Sequence, residues 1–302
     1  MAEEKPDDKD LSSIRDAAFF AATQTGMFPS PRASLFRYVS MRSPQSWQFL
    51  ENTVLESRLR LTTPDTFNDP FDSDPCYVND VPIEELMRRA TILDARGNAV
   101  KWTETTQIHG PNGSLTKAQM EHLVRQVVEA DTKRVNKKRF IASFCRRISS
   151  QLLWAHYAES YRGIAYHFVA RGPTMSPISE VRPVKYERQR PIILLSEILD
   201  RFDPPPQAEI TQQHLSFLRR AYLTKSIEWS YEEEERLIDD QVEVVFDPRE
   251  LASVIVGPRC PPDHVARLKE IVSRRSRALP IYRAKVAESD YAIEVEWSKG
   301  AV

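Results

Sequence analysis

Arg139-Phe-Ile-Ala-Ser-Phe-Cys145, then Ser150 to Tyr161, then Gly163 and Ile164-Ala-Tyr-His-Phe-Val169, set a strand, a helix and a second strand in close succession. Residues Arg139 to Cys145 alternate as a strand does. Ser150 to Tyr161 reads as an amphipathic helix carrying Trp154, with Gly163 placed to end it as a C-cap glycine. Residues Ile164 to Val169 read as the next strand. Working upstream, Leu35-Phe-Arg-Tyr-Val39 is rich in aromatic and branched residues and reads as a strand. Pro44 to Glu56 follows as a helix with Ser43 as its N-cap, and Arg58 to Thr62 as a second short strand. Ile83 to Ala95 and Lys117 to Asn136 read as helices, with a loop or small hairpin over Gly97 to Ser114.

Downstream, Val181 to Tyr186 reads as a strand and Pro191 to Leu199 as a helix. Gln212 to Leu223 reads as a further helix. Glu232 to Asp239, Val242 to Phe246 and Leu251 to Val256 read as extended. Pro261 to Arg274 reads as a helix, and two strand-like segments, Ile281 to Lys285 and Ala292 to Trp297, close the chain. Helices intervene irregularly between the strands, so a doubly wound parallel sheet is not expected. The expected fold is α+β: a mixed, largely antiparallel sheet with helical insertions, in one compact domain over residues 34–302. Residues 1–33 are expected to be a partly disordered tail with a short helix near Leu11 to Thr23. No repeat and no Ser/Gly linker divides the chain.

The bulk composition narrows the function classes. Of 302 residues, 42 are Lys or Arg and 43 are Asp or Glu. That balance gives no global field favouring nucleic acid or an anionic membrane. The basic stretch Lys133 to Arg139 with Arg146 and Arg147 reads as a solvated helix end. The three cysteines, Cys76, Cys145 and Cys260, are widely spaced, so neither a disulfide framework nor a Cys-x-x-Cys knuckle is available. That usage fits a reducing cytoplasm. The acidic N-terminus does not read as a signal peptide, and no apolar run approaches the ~18 residues that span a bilayer. With only 8 glycines, the glycine-rich phosphate loops of Rossmann and P-loop proteins are absent.

Three constellations remain. Phe67-Asn-Asp-Pro-Phe-Asp72 is a tight turn, with Asn68 and Asp69 either closing it or holding a ligand at a site rim. Its carboxylates lack the glycine and distal glutamate of a calcium loop, so no metal is expected. Leu153-Trp-Ala-His-Tyr157 carries Trp154, His156 and Tyr157, either as core and capping groups or as a pocket wall. Trp229-Ser-Tyr-Glu-Glu-Glu-Glu-Arg236 is the most informative. If Tyr231 to Ile238 is a strand, Glu232, Glu234 and Arg236 share the inner face, while Glu233 and Glu235 point outward. Arg236 would then anchor Glu234 while Glu232 acts. Costly polar groups beside aromatic rings in both motifs predict that Asn68 and Asp69 lie near the glutamate strand.

Phe67-Asn-Asp-Pro-Phe71, Ser143-Phe144, Leu153-Trp-x-His-Tyr157 with Gly163, and Trp229-x-Tyr-Glu-x-Glu-x-Arg236 resemble the successive motifs of domain-of-unknown-function family 2971. That resemblance implies a bacterial, largely cytoplasmic protein and brings no assigned activity. A more distant likeness to ADP-ribosyltransferases rests on an Arg in an early strand (Arg37), a Ser in a middle strand (Ser143) and a Glu-x-Glu in a late one (Glu232 and Glu234). It departs from their pattern in having Ala142-Ser143-Phe144 in place of a Ser-Thr-Ser triplet. The likeness implies NAD as substrate. Arg37 would clamp its phosphates, Tyr38 and Ser143 would line the nicotinamide end, and Glu232 or Glu234 would be catalytic. Trp154, His156 and Tyr157 would wall the pocket, with Trp229 and Arg236 beside the glutamates. Two other readings stay open: a non-catalytic module that binds a nucleotide or a protein, and a metal-dependent nuclease using Asp69, Asp72, Lys225 and Glu232.

Overall fold

In the computed structural model, residues 34–82, 139–170, 176–199 and 216–297 are described, with short strands between 91 and 114 and the single residues 122 and 126. The expected helix in the tail and most of those over 83–95 and 117–136 lie outside the described residues. Eight strands build the main sheet: β1 (Ser34–Val39), β2 (Phe140–Cys145), β3 (Ile164–Val169), β4 (Arg182–Pro183), β5 (Glu234–Asp239), β6 (Leu251–Val256), β7 (Ile281–Val286) and β8 (Ile293–Val295). Their order across the sheet is β4-β5-β2-β1-β3-β6-β7-β8. Every adjacent pair is antiparallel except β6 with β7. The fold is therefore α+β with a mixed, largely antiparallel sheet.

Both faces of this sheet are covered. One packs Leu35, Phe144, Tyr166, Phe168, Leu237 and Val254 against helix α1 (Pro44–Leu55) through Trp47, Leu50 and Val54. Helix α4 (Pro262–Ser273) joins that layer through Val265, Leu268 and Ile271. Ser43 caps α1 by accepting from the Ser46 amide at 3.1 Å. The other face packs Phe36, Cys145, Ala165 and Ile255 against helix α2 (Gln151–Tyr157) through Leu153 and Trp154. Further along that face, Ile141 meets Ile193, Leu195, Phe217 and Tyr222 from the later part of the chain.

Three local expectations are corrected. Residues Pro191 to Leu199 do not form one helix: Ile192–Leu194 pairs in parallel with Cys76–Val78, and only Leu195–Leu199 is helical (α3). The β-branched pair Ile192-Ile193 favours that strand. Thr91–Leu93, expected at the end of a helix, pairs antiparallel with Ala99–Lys101. Helix α2 stops at Tyr157, four residues before the expected end.

The last correction also changes what Gly163 is for. Glu159, Ser160 and Tyr161 take the left-handed conformation at φ 51°, 52° and 71°. The turn holds because Ser160, Tyr161 and Gly163 donate their amides to Ala155, Trp154 and Ala158. Gly163 supplies space instead: a Cβ there would lie 2.2 Å from the Val39 carbonyl oxygen. Gly257 packs the same way against the carbonyl oxygen of Tyr161. Gly163→Ala should therefore lower the urea midpoint, by about 1–3 kcal/mol of stability, as overpacking of rigid backbone does.

Candidate functional site

Strand register sorts the charged residues between the two faces. Phe36 lies opposite Cys145, and Cys145 opposite Glu234. Directly opposed residues share a face and neighbours along a strand do not. Ser143, Glu234 and Arg236 therefore point to the α2 side, together with Tyr38. Arg37 points to the opposite side, where its partner is Tyr166. The expected convergence of Arg37 with Ser143 and the glutamates does not occur. One Arg37 guanidinium nitrogen is buried without a hydrogen-bond partner. Burial lowers the group to about 10, although Tyr166 opposes that shift.

Strand β5 begins later than expected. Residues Ile227–Glu232 form a 3-10 turn capped by the Ser226 hydroxyl, and Glu233 is left-handed at φ 45°. The outcome for Glu232 and Glu234 matches strand alternation even so, because both turn inward and are 4% and 5% exposed. Glu233 is exposed and pairs with Arg147 at 2.8 Å. Glu235, expected outward, is buried and ion-paired to Arg146. It points to the α1 side of the sheet, opposite Phe144 of β2.

Around Glu232 and Glu234 the chain assembles a buried ionic network. Arg236 donates from Nε to Glu234 Oε1 at 2.7 Å and from Nη2 to Glu234 Oε2 at 2.9 Å. It also grips both Asp72 oxygens, at 2.8 and 2.6 Å, and the Tyr222 carbonyl at 2.8 Å. Phe67 lies against this guanidinium at 5.4 Å. Lys225, on the short strand Thr224–Ser226, donates to Glu232 at 2.6 Å and Glu234 at 3.2 Å, and its ammonium lies 3.4 Å from Asp72. The Trp229 ring lies 4.9 Å from that ammonium. Tyr157 donates to Glu232 Oε1 at 2.6 Å and is also hydrogen-bonded to Asn68. The Tyr186 hydroxyl accepts from the Glu234 amide at 2.7 Å, and Ser143 bonds the Glu234 carboxylate. Ser143, Asn68 and His156 are exposed beside these buried groups.

The turn over 67–72 thus does meet the glutamates, through Asn68 and Asp72. Asp69 serves the turn itself: its carboxylate accepts from the Phe71 amide at 2.9 Å. Trp154 is fully buried in the core and donates to the Ile148 carbonyl at 2.8 Å, so it supports α2 and does not wall an open pocket. Tyr38 packs edge-on against Trp154 and donates to the Arg147 carbonyl. His156 touches only the edge of Tyr157 among the ring contacts of the described residues. Tyr186 and the Tyr222 carbonyl were not legible as site groups, because only the packed structure brings them to β5.

The two glutamates differ electrostatically. Burial raises the Glu232 carboxyl above its usual range, and Lys225 and Tyr157 only partly offset that. Burial would raise Glu234 too, but Arg236 and Lys225 outweigh it and bring it down to about 2. Two carboxyls pushed apart in this way divide into a proton-exchanging group and a permanent anion. The opposite signs of the two shifts make stability depend on pH. A glutamate that is ordinary when unfolded, at ~4.3, and near 2 when folded stabilises the protein above ~4.3. That contribution, of order 2–3 kcal/mol, is lost as the pH falls toward 2. Glu232 acts in the opposite sense, since its ionised form is the disfavoured one in the fold. Urea midpoints measured from pH 5 to pH 2 should fall in the wild type and fall less in Glu234→Gln.

Three carboxylates against two cations leave the network one charge negative. Among the described residues no group of three His, Cys, Asp or Glu side chains is disposed to hold a metal ion. At the network itself, the Lys225 ammonium stands among Asp72, Glu232 and Glu234. No described helix is long and apolar enough to cross a membrane. Comparison with protein-family models, with curated proteins and with solved structures gives no match to this chain.

Proposed function

We propose that the network on the α2 side of β2 and β5 is the reaction centre of an NAD-using transferase or glycohydrolase. The observation that carries this reading is the juxtaposition of β1, β2 and β5. The early, middle and late strands named by the ADP-ribosyltransferase likeness are consecutive neighbours, and exposed Ser143 adjoins Glu234 with Glu232 close by. In this reading the bond between ribose and nicotinamide breaks, and nicotinamide leaves with the bonding pair. The positive charge developing on the ribose is stabilised by the fixed anion Glu234 and the net negative network. The acceptor oxygen, from water or a second substrate, bonds to the anomeric carbon and gives its proton to Glu232. Arg37 has no part in this scheme. Exposed Arg147, at the end of β2 and beside the Tyr231 carbonyl, is the cation offered to the phosphates.

A second reading has its own support. Arg236 engages both oxygens of Glu234 and both of Asp72, as a clamp that ties the 67–72 turn to β5 would. A non-catalytic binding module would use the same network as scaffold. A metal-dependent nuclease is disfavoured, since the Lys225 ammonium already stands between Asp72 and Glu232 while Asp69 closes its own turn.

With a chelator present, NAD should raise the melting temperature by mass action on the folded state, and nicotinamide should be released. Stabilisation by NAD without release would favour the binding module. Stabilisation by manganese and none by NAD would favour the nuclease.

A further inference from the structure

We propose that Lys225 is a positioning residue that stands where a metal ion would stand in a three-carboxylate centre, gathering Asp72, Glu232 and Glu234 around one ammonium and aiming Glu232 at the reaction face. This rests on the reading of Glu232 as the proton-exchanging carboxylate. Its geometry is independent of which substrate is used. The Lys225 ammonium lies 2.6, 3.2 and 3.4 Å from oxygens of Glu232, Glu234 and Asp72, and it joins the segment that carries both glutamates to the distant 67–72 turn. Lys225 and Glu232 are both buried, so solvent cannot take the place of either partner.

The partners of Glu232 are divided by oxygen. Tyr157, from α2, donates to Oε1, and Lys225 donates to Oε2. Arg236 serves Glu234 and Asp72 and makes no hydrogen bond to Glu232 among the described residues. Lys225 is therefore the cation that opposes burial at Glu232, whereas Glu234 keeps Arg236 if Lys225 is lost. The other titratable groups around Glu232 are Glu234 on β5, Tyr231 on its own turn, Tyr186 on the strand Lys185–Glu187, and Asp72 across the ammonium. Deprotonating the tyrosines or adding charge on the acids can only raise Glu232, so none of them replaces Lys225. A lysine serves here better than an arginine: its compact ammonium can face three carboxylates at once, while a planar fork matches one or two.

Carboxyl-carbon NMR of glutamate-labelled protein tests this without any turnover. In Lys225→Met the titration midpoint of Glu232 should rise by about one pH unit or more, as loss of an adjacent cation in a buried site requires, while Glu234 moves less. An unchanged Glu232 midpoint in folded Lys225→Met overturns the proposal. Should that variant not fold, lysine-nitrogen NMR of the wild type decides. The Lys225 signal should shift as Glu232 titrates, and a signal indifferent to that titration overturns the proposal equally. If NAD is not cleaved but the midpoint shift is found, the positioning role stands and the transferase reading falls.

Discussion

Arg236→Met should be the most destabilising single substitution in the site, costing about 3–5 kcal/mol because it leaves buried charge uncompensated. Arg236 is 1% exposed and donates to Glu234, Asp72, Ser73 and the Tyr222 carbonyl. Truncation removes all of these donors at once. Lys225 would remain to face three carboxylates alone, and the Tyr222 carbonyl would lose its donor. A loss of that size is a large part of the ~5–15 kcal/mol that holds a typical domain folded. Equilibrium urea denaturation at pH 7 measures it. The control is Arg249→Met: Arg249 also forks a carboxylate, that of Asp247, but it is largely exposed. Its removal should leave the midpoint in place, because exposed pairs contribute little. A small effect at Arg236 would mean that the network is not a unit.

The largest expected effect on activity belongs to Glu232. Glu232→Gln keeps the shape of the side chain and a hydrogen-bond acceptor for Tyr157, but it cannot take up the acceptor's proton. Nicotinamide release should fall by about 10²–10⁴, the span that general acid–base groups contribute. Binding of NAD, read as a thermal shift, should survive. Glu234→Gln should differ in kind. It removes the anion from the Arg236 fork, so its main cost is stability, with activity lost as a consequence. Glu233→Gln, on the exposed side of the turn, should change neither. Equal activity in Glu232→Gln and wild type would remove the enzyme reading and leave the binding module.

These contrasts refine what the sequence suggests, in which either glutamate could act. Glu232-x-Glu234-x-Arg236 announces an inward row, and Trp229 and Tyr231 announce an aromatic surround. Both glutamates are buried. The reason differs from simple alternation, since a 3-10 turn and a left-handed Glu233 bring Glu232 inward before the strand begins. Asn68 and Asp72 reach the same network, but Asp69 is spent on its own turn. Composition offers no sign of Tyr186, which reaches the Glu234 amide from a three-residue strand.

Strands β1, β2, β3, β6 and β7, helices α1 and α4, and the α+β class were legible in the residues alone, because these depend on side-chain period and caps within a few residues. The sequence also showed carboxylates and aromatic residues crowded together over residues 229–236. Which strands are neighbours, and which face each residue meets, depends on long-range packing. That is why Arg37 lies across the sheet from Ser143, although both stand in strands of the expected order. It is also why Glu235 is buried: period two says that Glu235 opposes Glu234, while burial depends on what lies on the far face, where Glu235 is ion-paired to Arg146 and stands between Phe144 and Pro183 of the neighbouring strands. Lys225 became the centre of the network for the same reason. The sequence offers Lys225 beside Asp72 and Glu232 only as one reading among several, and its central place exists only where β5, the 67–72 turn and the strand Thr224–Ser226 bring three carboxylates within reach of one ammonium.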